Sequence, residues 1–196
     1  MKTSNKLKVY KLFFKVLLIA LLLVLAMIVI KYAGYQIVEK ENVEVVEVFN
    51  NTEHKIDENG VSQIEMRGYK VIGKIKISKI NLEYPILEKT SEESMKISIS
   101  RFAGNEVNSL GNLSLAGHNN KDGTMFGKNK RLKLGDVIEL TDLTNKTIKY
   151  EIYKIFPTDP NDVTILETED ENMREVTLIT CTKGHEQRLI IKAREI

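Results

Sequence analysis

The chain holds a single cysteine, Cys181, and three histidines, His54, His118 and His185. Cys181 sits near the end of an apolar run, Thr177-Leu178-Ile179-Thr180-Cys181-Thr182, that reads as a strand carrying a thiol to its exit. Arg188 opens a second strand-like run, Arg188 to Ala193, and puts a fixed cation beside that exit if the two runs close as a hairpin. Upstream, Asn112 to Ala116 leads into Gly117-His118-Asn119, so an imidazole also stands at a strand end. A thiol, an imidazole and a guanidinium could serve as nucleophile, acid/base and stabiliser of an acyl oxygen that gains charge. A nearby cation also favours the thiolate.

Each residue has a duller reading. A cysteine in an apolar strand is ordinarily inert filling. Here the neighbours Thr180, Thr182, Lys183 and Gly184 turn polar, which places Cys181 at a strand end. His185 lies four residues from Cys181 but falls in a Lys183 to Gln187 turn that reads as exposed. His118 is the better partner, because Gly117 permits close backbone approach and the strand ahead fixes its position. His54, in a polar stretch with no partner pattern, reads as a surface residue. Arg188 could equally be half of a cross-strand ion pair.

The elements that must hold these groups follow from texture. With 29 basic and 27 acidic residues the formal net charge is +2, so no basic field points to nucleic acid. One cysteine excludes an intramolecular disulfide and any multi-cysteine metal cluster. The first 15 residues carry Lys2, Lys6, Lys8, Lys11 and Lys15 and no acid, and Val16 to Ile30 is unbroken apolar sequence. Counted from Leu12 with Lys15 snorkelling, this helix reaches roughly 28 Å, about one hydrocarbon thickness. Lysines before it and Glu39, Glu41, Glu44 and Glu47 after it put the N-terminus in the cytoplasm and the remainder outside the cell membrane. An uncleaved anchor is preferred to a signal peptide, since no clean cleavage site follows Ile30. Outside the cytoplasm a lone thiol is a liability unless it is used.

The expected division is a cytoplasmic tail at 1–11, a transmembrane anchor at 12–33, a linker or stalk at 34–67 and a β domain at 68–196. Tyr35 to Phe49 could continue as helix. Val71 to Ser78 alternates as a half-buried strand, and Ile80 to Leu87 is a second, with Pro85 marking an edge or bulge. Ser91 or Thr90 caps a short helix, with Met95 to Ile99 as a helical turn. After Asn112 to Ala116 come a turn at Asp122-Gly123, Met125 and Phe126 packed onto the domain, a solvated Lys128 to Lys133, and strands Val137 to Thr141 and Thr147 to Phe156. Pro157 to Asn172 is a loop before the last two strands. The fold class is all-β: a closed barrel of about eight strands with short helices, preceded by one transmembrane helix.

An anchor, a small β domain with Ala116-Gly117-His118-Asn119, then Thr177-Leu178-Ile179-Thr180-Cys181-Thr182, then an Arg on the last strand, resembles the sortases, cysteine transpeptidases of Gram-positive bacteria. The resemblance runs from about Tyr69 to Ile196. It implies Cys181 as nucleophile, His118 as acid/base, Arg188 as oxyanion or substrate stabiliser, and Thr180 lining the peptide groove. It implies cleavage of a Leu-Pro-x-Thr-Gly-like sorting signal through a thioacyl enzyme. The acyl group then passes to an amine of a peptidoglycan precursor or a pilin. The run from Gly117 to Phe126 resembles class B, whereas the short Pro157–Met173 connection resembles class A or D. Glu167, Glu169, Asp170 and Glu171 are similar to the calcium site of some class A members, though a solvated loop is the preferred reading. No cofactor is expected, with calcium left open. The rival of another class is a non-catalytic anchored β-barrel that binds peptides or protein partners.

Overall fold

The structure is a computed structural model that describes residues 2–52, 55–59, 62–168, 170–182 and 186–196, with side chains from Val9 onward. His54, Glu169 and the segment 183–185, with His185, lie outside the described residues. The chain divides into two units, Met1–Lys40 and Glu41–Ile196.

One helix, α1, runs from Lys2 to Asn51. It has no proline and only Gly34 as a weak helix former, so nothing in its sequence interrupts it. In the first unit its apolar side chains from Leu12 to Ile30 are exposed, and by length and composition this helix can cross a membrane. The end of α1 belongs to the second unit. There Thr52 N and its hydroxyl both donate to the Val48 carbonyl, at 2.9 and 2.8 Å, satisfying one of the orphan acceptors of the last turn.

Among the described residues nine strands follow: β1 Glu65–Met66, β2 Tyr69–Ile77, β3 Leu82–Leu87, β4 Ile99–Ala103, β5 Gly111–Ala116, β6 Val137–Asp142, β7 Thr147–Thr158, β8 Arg174–Thr182 and β9 Gln187–Glu195. Their order is β1-β2-β3-β4-β5-β8-β9-β7-β6, and β6 pairs back onto β2. The eight strands β2 to β9 therefore close into the expected barrel, which removes free sheet edges. Two neighbouring pairs are parallel, β3 with β4 and β5 with β8. The second of these brings chain segments some 60 residues apart to the same barrel rim.

Inward positions fill the barrel with Ile75, Ile77, Ile86, Leu115, Ile138, Leu140, Tyr150, Leu178 and Ile191, each at most 1% exposed. Two smaller apolar clusters lie apart from this core. In one, Phe49 of α1 is fully buried with Ile64, Met66, Val71, Leu87 and Ile97. Asn42 donates to the Ile97 carbonyl at 2.8 Å, and Glu41 accepts two bonds from Arg67 at 2.5 and 2.9 Å. The Lys55 ammonium bonds the Thr52 carbonyl and Asn145 Oδ1, and lies 4.7 Å from the Phe49 ring centre. Much of the segment read as a linker is thus packed against the β domain. The alternation Asn42, Val45/Val46, Phe49 is a helical stripe that finds its apolar partner only in three dimensions.

One local expectation shifts and another is met. The short helix α2 is Glu92–Met95, capped by a reciprocal Ser91–Ser94 box, and the chain becomes strand β4 at Ile99 rather than continuing as a helical turn. Pro85 lies opposite Lys74 in the β2–β3 ladder, before β3 begins to pair with β4 at Ile86. It therefore sits where the strand is locally an edge, and its carbonyl accepts from the Ser98 hydroxyl at 2.8 Å.

Candidate active site

Strand β8 alternates between two faces. Val176, Leu178 and Thr180 point into the barrel, and Glu175, Thr177, Ile179 and Cys181 share the outer face. Across the antiparallel ladder their partners on β9 are Arg194, Lys192, Ile190 and Arg188. The outer face thus reads as four rungs, ending in Cys181 opposite Arg188. Directly paired side chains in such a ladder lie with Cβ atoms about 4.5–5.5 Å apart. Both residues are half-buried, so the thiol is neither sealed in the core nor free in solvent.

Strand β5 brings the histidine. Ala116 pairs with Ile179 in the parallel β5–β8 ladder, and Gly117 N donates to the Ile179 carbonyl at 3.2 Å. Two residues further along each strand, His118 and Cys181 arrive at the same rim. His118 is half-buried, and its carbonyl accepts from Phe126 N at 3.0 Å. A Cβ on Gly117 would meet the Phe126 ring at 2.9 Å, so the glycine lets that fully buried ring press against the strand exit. Met125, at φ 45°, donates its N–H to the Tyr84 hydroxyl at 3.1 Å and fixes the far side of this loop.

The structure therefore gathers Cys181, His118 and Arg188 at one end of the barrel. Thr180 lies differently. It is 3% exposed, faces inward, and donates its hydroxyl to the Gly117 carbonyl at 2.7 Å. It ties the cysteine strand to the histidine strand from beneath. Asn119 makes a matching tie from outside, its amide donating to the Cys181 carbonyl at 2.7 Å. Sequence reasoning passed over Asn119, although its place beside His118 was the available signal.

Beside the Cys181–Arg188 rung, Ile179 and Ile190 form an apolar cluster with Ile165, Leu166 and Phe156. Ile165 and Leu166 come from the 157–173 loop, in a short 3-10 turn at Thr164–Leu166. Asp162 starts this turn. It accepts from Thr164 N, the Thr164 hydroxyl and the Thr158 hydroxyl, which hold its carboxyl below the usual carboxylate range. Among the described residues no three His, Cys, Asp or Glu side chains gather as a metal site. Of the loop acids, Asp170 accepts from Asn172 N at 2.8 Å, and the Glu167 carbonyl accepts from Lys192 at 2.7 Å.

The fold is a closed eight-stranded barrel with a thiol, an imidazole and a guanidinium at one rim. A family model for the sortase domain matches residues 75–196. Sortase A of Bacillus anthracis is 31% identical over 176 residues, covering 82% of each chain. Sortase A of Staphylococcus aureus is 28% identical over 137 residues, covering 68% of this chain and 66% of its own. Among solved structures, a Sortase D5 transpeptidase of Clostridium perfringens superposes with a TM-score of 0.65 at 31% identity, over 81% of this chain and 97% of its own. The chain belongs to the sortase family of transpeptidases.

Proposed function

We propose that this sortase works through Cys181 as nucleophile, His118 as proton shuttle and Arg188 as charge stabiliser. The observation that carries the reading is the meeting of β5, β8 and β9 at one rim, with Cys181 directly opposite Arg188. The Cys181 thiolate adds to the carbonyl carbon of the Thr residue in a Leu-Pro-x-Thr-Gly-like signal. Charge develops on the carbonyl oxygen, where the Arg188 fork can donate. The C–N bond then breaks, His118 gives its proton to the leaving amine, and a thioester remains on Cys181. An incoming amine of a peptidoglycan precursor or pilin adds to that thioester and gives its proton to His118. The thiolate leaves, and a new amide replaces the old one with no net redox change.

Thr180, buried and bonded to Gly117, suits a bracing role between the two strands better than direct contact with the peptide. The apolar cluster of Ile165, Leu166, Ile179 and Ile190 suits an aliphatic side chain of the signal next to the thiol. The lysine-rich start of α1 puts the N-terminus in the cytoplasm and the barrel outside, where secreted substrates and wall precursors are found.

The test uses the full chain in detergent micelles, a panel of sorting-signal peptides and an amine acceptor, read by intact mass spectrometry. The expected result is an acyl adduct on Cys181 and a transfer product, both absent in Cys181→Ala. A folded protein that forms no adduct with any peptide, and whose only thiol resists iodoacetamide, overturns the reading in favour of a peptide-binding barrel.

A further inference from the structure

The four outer rungs of β8 and β9 divide by chemistry. Cys181 faces Arg188, Ile179 faces Ile190, and the next two rungs, Thr177 with Lys192 and Glu175 with Arg194, carry buried charge. Lys192 is 7% exposed and Glu175 only 3%. Neither belongs to the barrel core, and neither touches the thiol rung. Burying charges in this way is costly unless they are held by partners, so the partners show what the burial serves.

Those partners are in the 157–173 loop. The Lys192 ammonium donates to the Glu167 carbonyl at 2.7 Å. The Thr168 hydroxyl donates to Glu175 Oε2 at 2.8 Å. The other carboxylate oxygen accepts from the Tyr153 hydroxyl at 2.9 Å and lies 3.5 Å from the Arg194 guanidinium, which covers the Tyr153 ring at 4.0 Å. From the β5 side, the Asn112 amide donates to the Ile165 and Leu166 carbonyls at 3.3 and 3.1 Å, and the Thr177 hydroxyl orients Asn112 at 2.9 Å. The loop runs along the ladder in register: Ile165 and Leu166 on the apolar rung, Glu167 on the Lys192 rung, Thr168 on the Glu175 rung.

We propose that Lys192 and Glu175 are positioning residues that clamp residues 165–168, so that Ile165 and Leu166 stand over Ile179 and Ile190 before a peptide arrives. This rests on the transpeptidase reading for its kinetic consequence but not for its structural one. The protein's own ammonium and carboxylate order the loop, and the apolar wall beside Cys181 is preformed. Pre-ordering lowers the entropy that binding must otherwise supply, so losing the clamp raises KM rather than slowing the thiol chemistry.

Two readouts on the full chain in detergent test this. Hydrogen exchange at residues 164–168, without peptide, is expected to speed up at least about tenfold in Lys192→Met and Glu175→Gln, with β5 and β8 unchanged. For a Leu-Pro-x-Thr-Gly peptide with hydroxylamine as acceptor, KM is expected to rise about tenfold with kcat within about twofold. The rate of Cys181 alkylation by iodoacetamide stays the same, and Lys192→Arg restores most of the KM. Thr168→Val removes the contact from the loop side, changes no barrel strand, and shifts both readouts the same way. Unchanged exchange in these variants overturns the clamp, whether or not the enzyme turns over. A fall in kcat that tracks slower alkylation also overturns it, because the cysteine strand itself would then have moved. A wild type that protects the loop but forms no adduct counts against the transpeptidase chemistry alone.

Discussion

At the residue scale the rim depends on shape as much as on charge. Arginine presents a planar fork that can follow a carbonyl oxygen as it becomes an oxyanion, whereas lysine presents a point charge. Arg188→Lys keeps the cation opposite Cys181 and loses the fork. Single-turnover acylation is expected to slow by about 10²-fold, in the range seen when one oxyanion donor is removed, with the protein still folded. Equal rates for the two proteins would show that charge alone is needed at this rung. Gly117 belongs to the same scale: a methyl group there meets the Phe126 ring at 2.9 Å, so a chemically mute residue fixes where the imidazole begins.

At the element scale the end of α1 is part of the domain. Phe49 is fully buried against residues of β1, β2 and β3 and against Ile97. Phe49→Ala is expected to cost about 3–5 kcal/mol in urea denaturation, as for other buried aromatic truncations. A free linker predicts a change near zero. The Glu41–Arg67 pair makes the same docking depend on pH. The Arg67 hydrogen bond lowers the Glu41 pKa from its ordinary value. A carboxylate lowered on folding adds stability above its unfolded value, about 4.3, and loses it as pH falls through the folded value. The melting temperature of Glu41→Gln is therefore expected to lie below wild type at pH 7, and the gap to shrink as pH falls below the unfolded value and close once it passes the lowered folded one. The pair is partly exposed, so the gap is small and shrinks with salt.

At the scale of the whole molecule, closure of the barrel turns local strand patterns into a site. The β6–β2 pairing completes the ring. The parallel β5–β8 pairing, which no hairpin could make, brings the strands leading to His118 and Cys181 to the same rim. The same closure leaves an outer face on β8 and β9, where the thiol rung, the apolar rung and the charged rungs lie in sequence.

The barrel class, the apolar helix near the N-terminus and the placement of Cys181, His118 and Arg188 at strand ends were legible because each rests on short-range signals. These are alternation with period two, an uninterrupted apolar run, and polar residues at strand exits. Alternation counted back from Cys181 even assigns Ile179, Thr177 and Glu175 to the thiol's face. The same count puts Thr180 on the opposite face from Cys181, where it is buried and its hydroxyl reaches the Gly117 carbonyl. What only the tertiary structure decided is which distant segments cover which faces. Phe49 finds its apolar pocket 15 to 48 residues downstream, and Asn112 meets the loop carbonyls 53 and 54 residues away. Such pairings depend on strand order and closure, and no local periodicity encodes strand order.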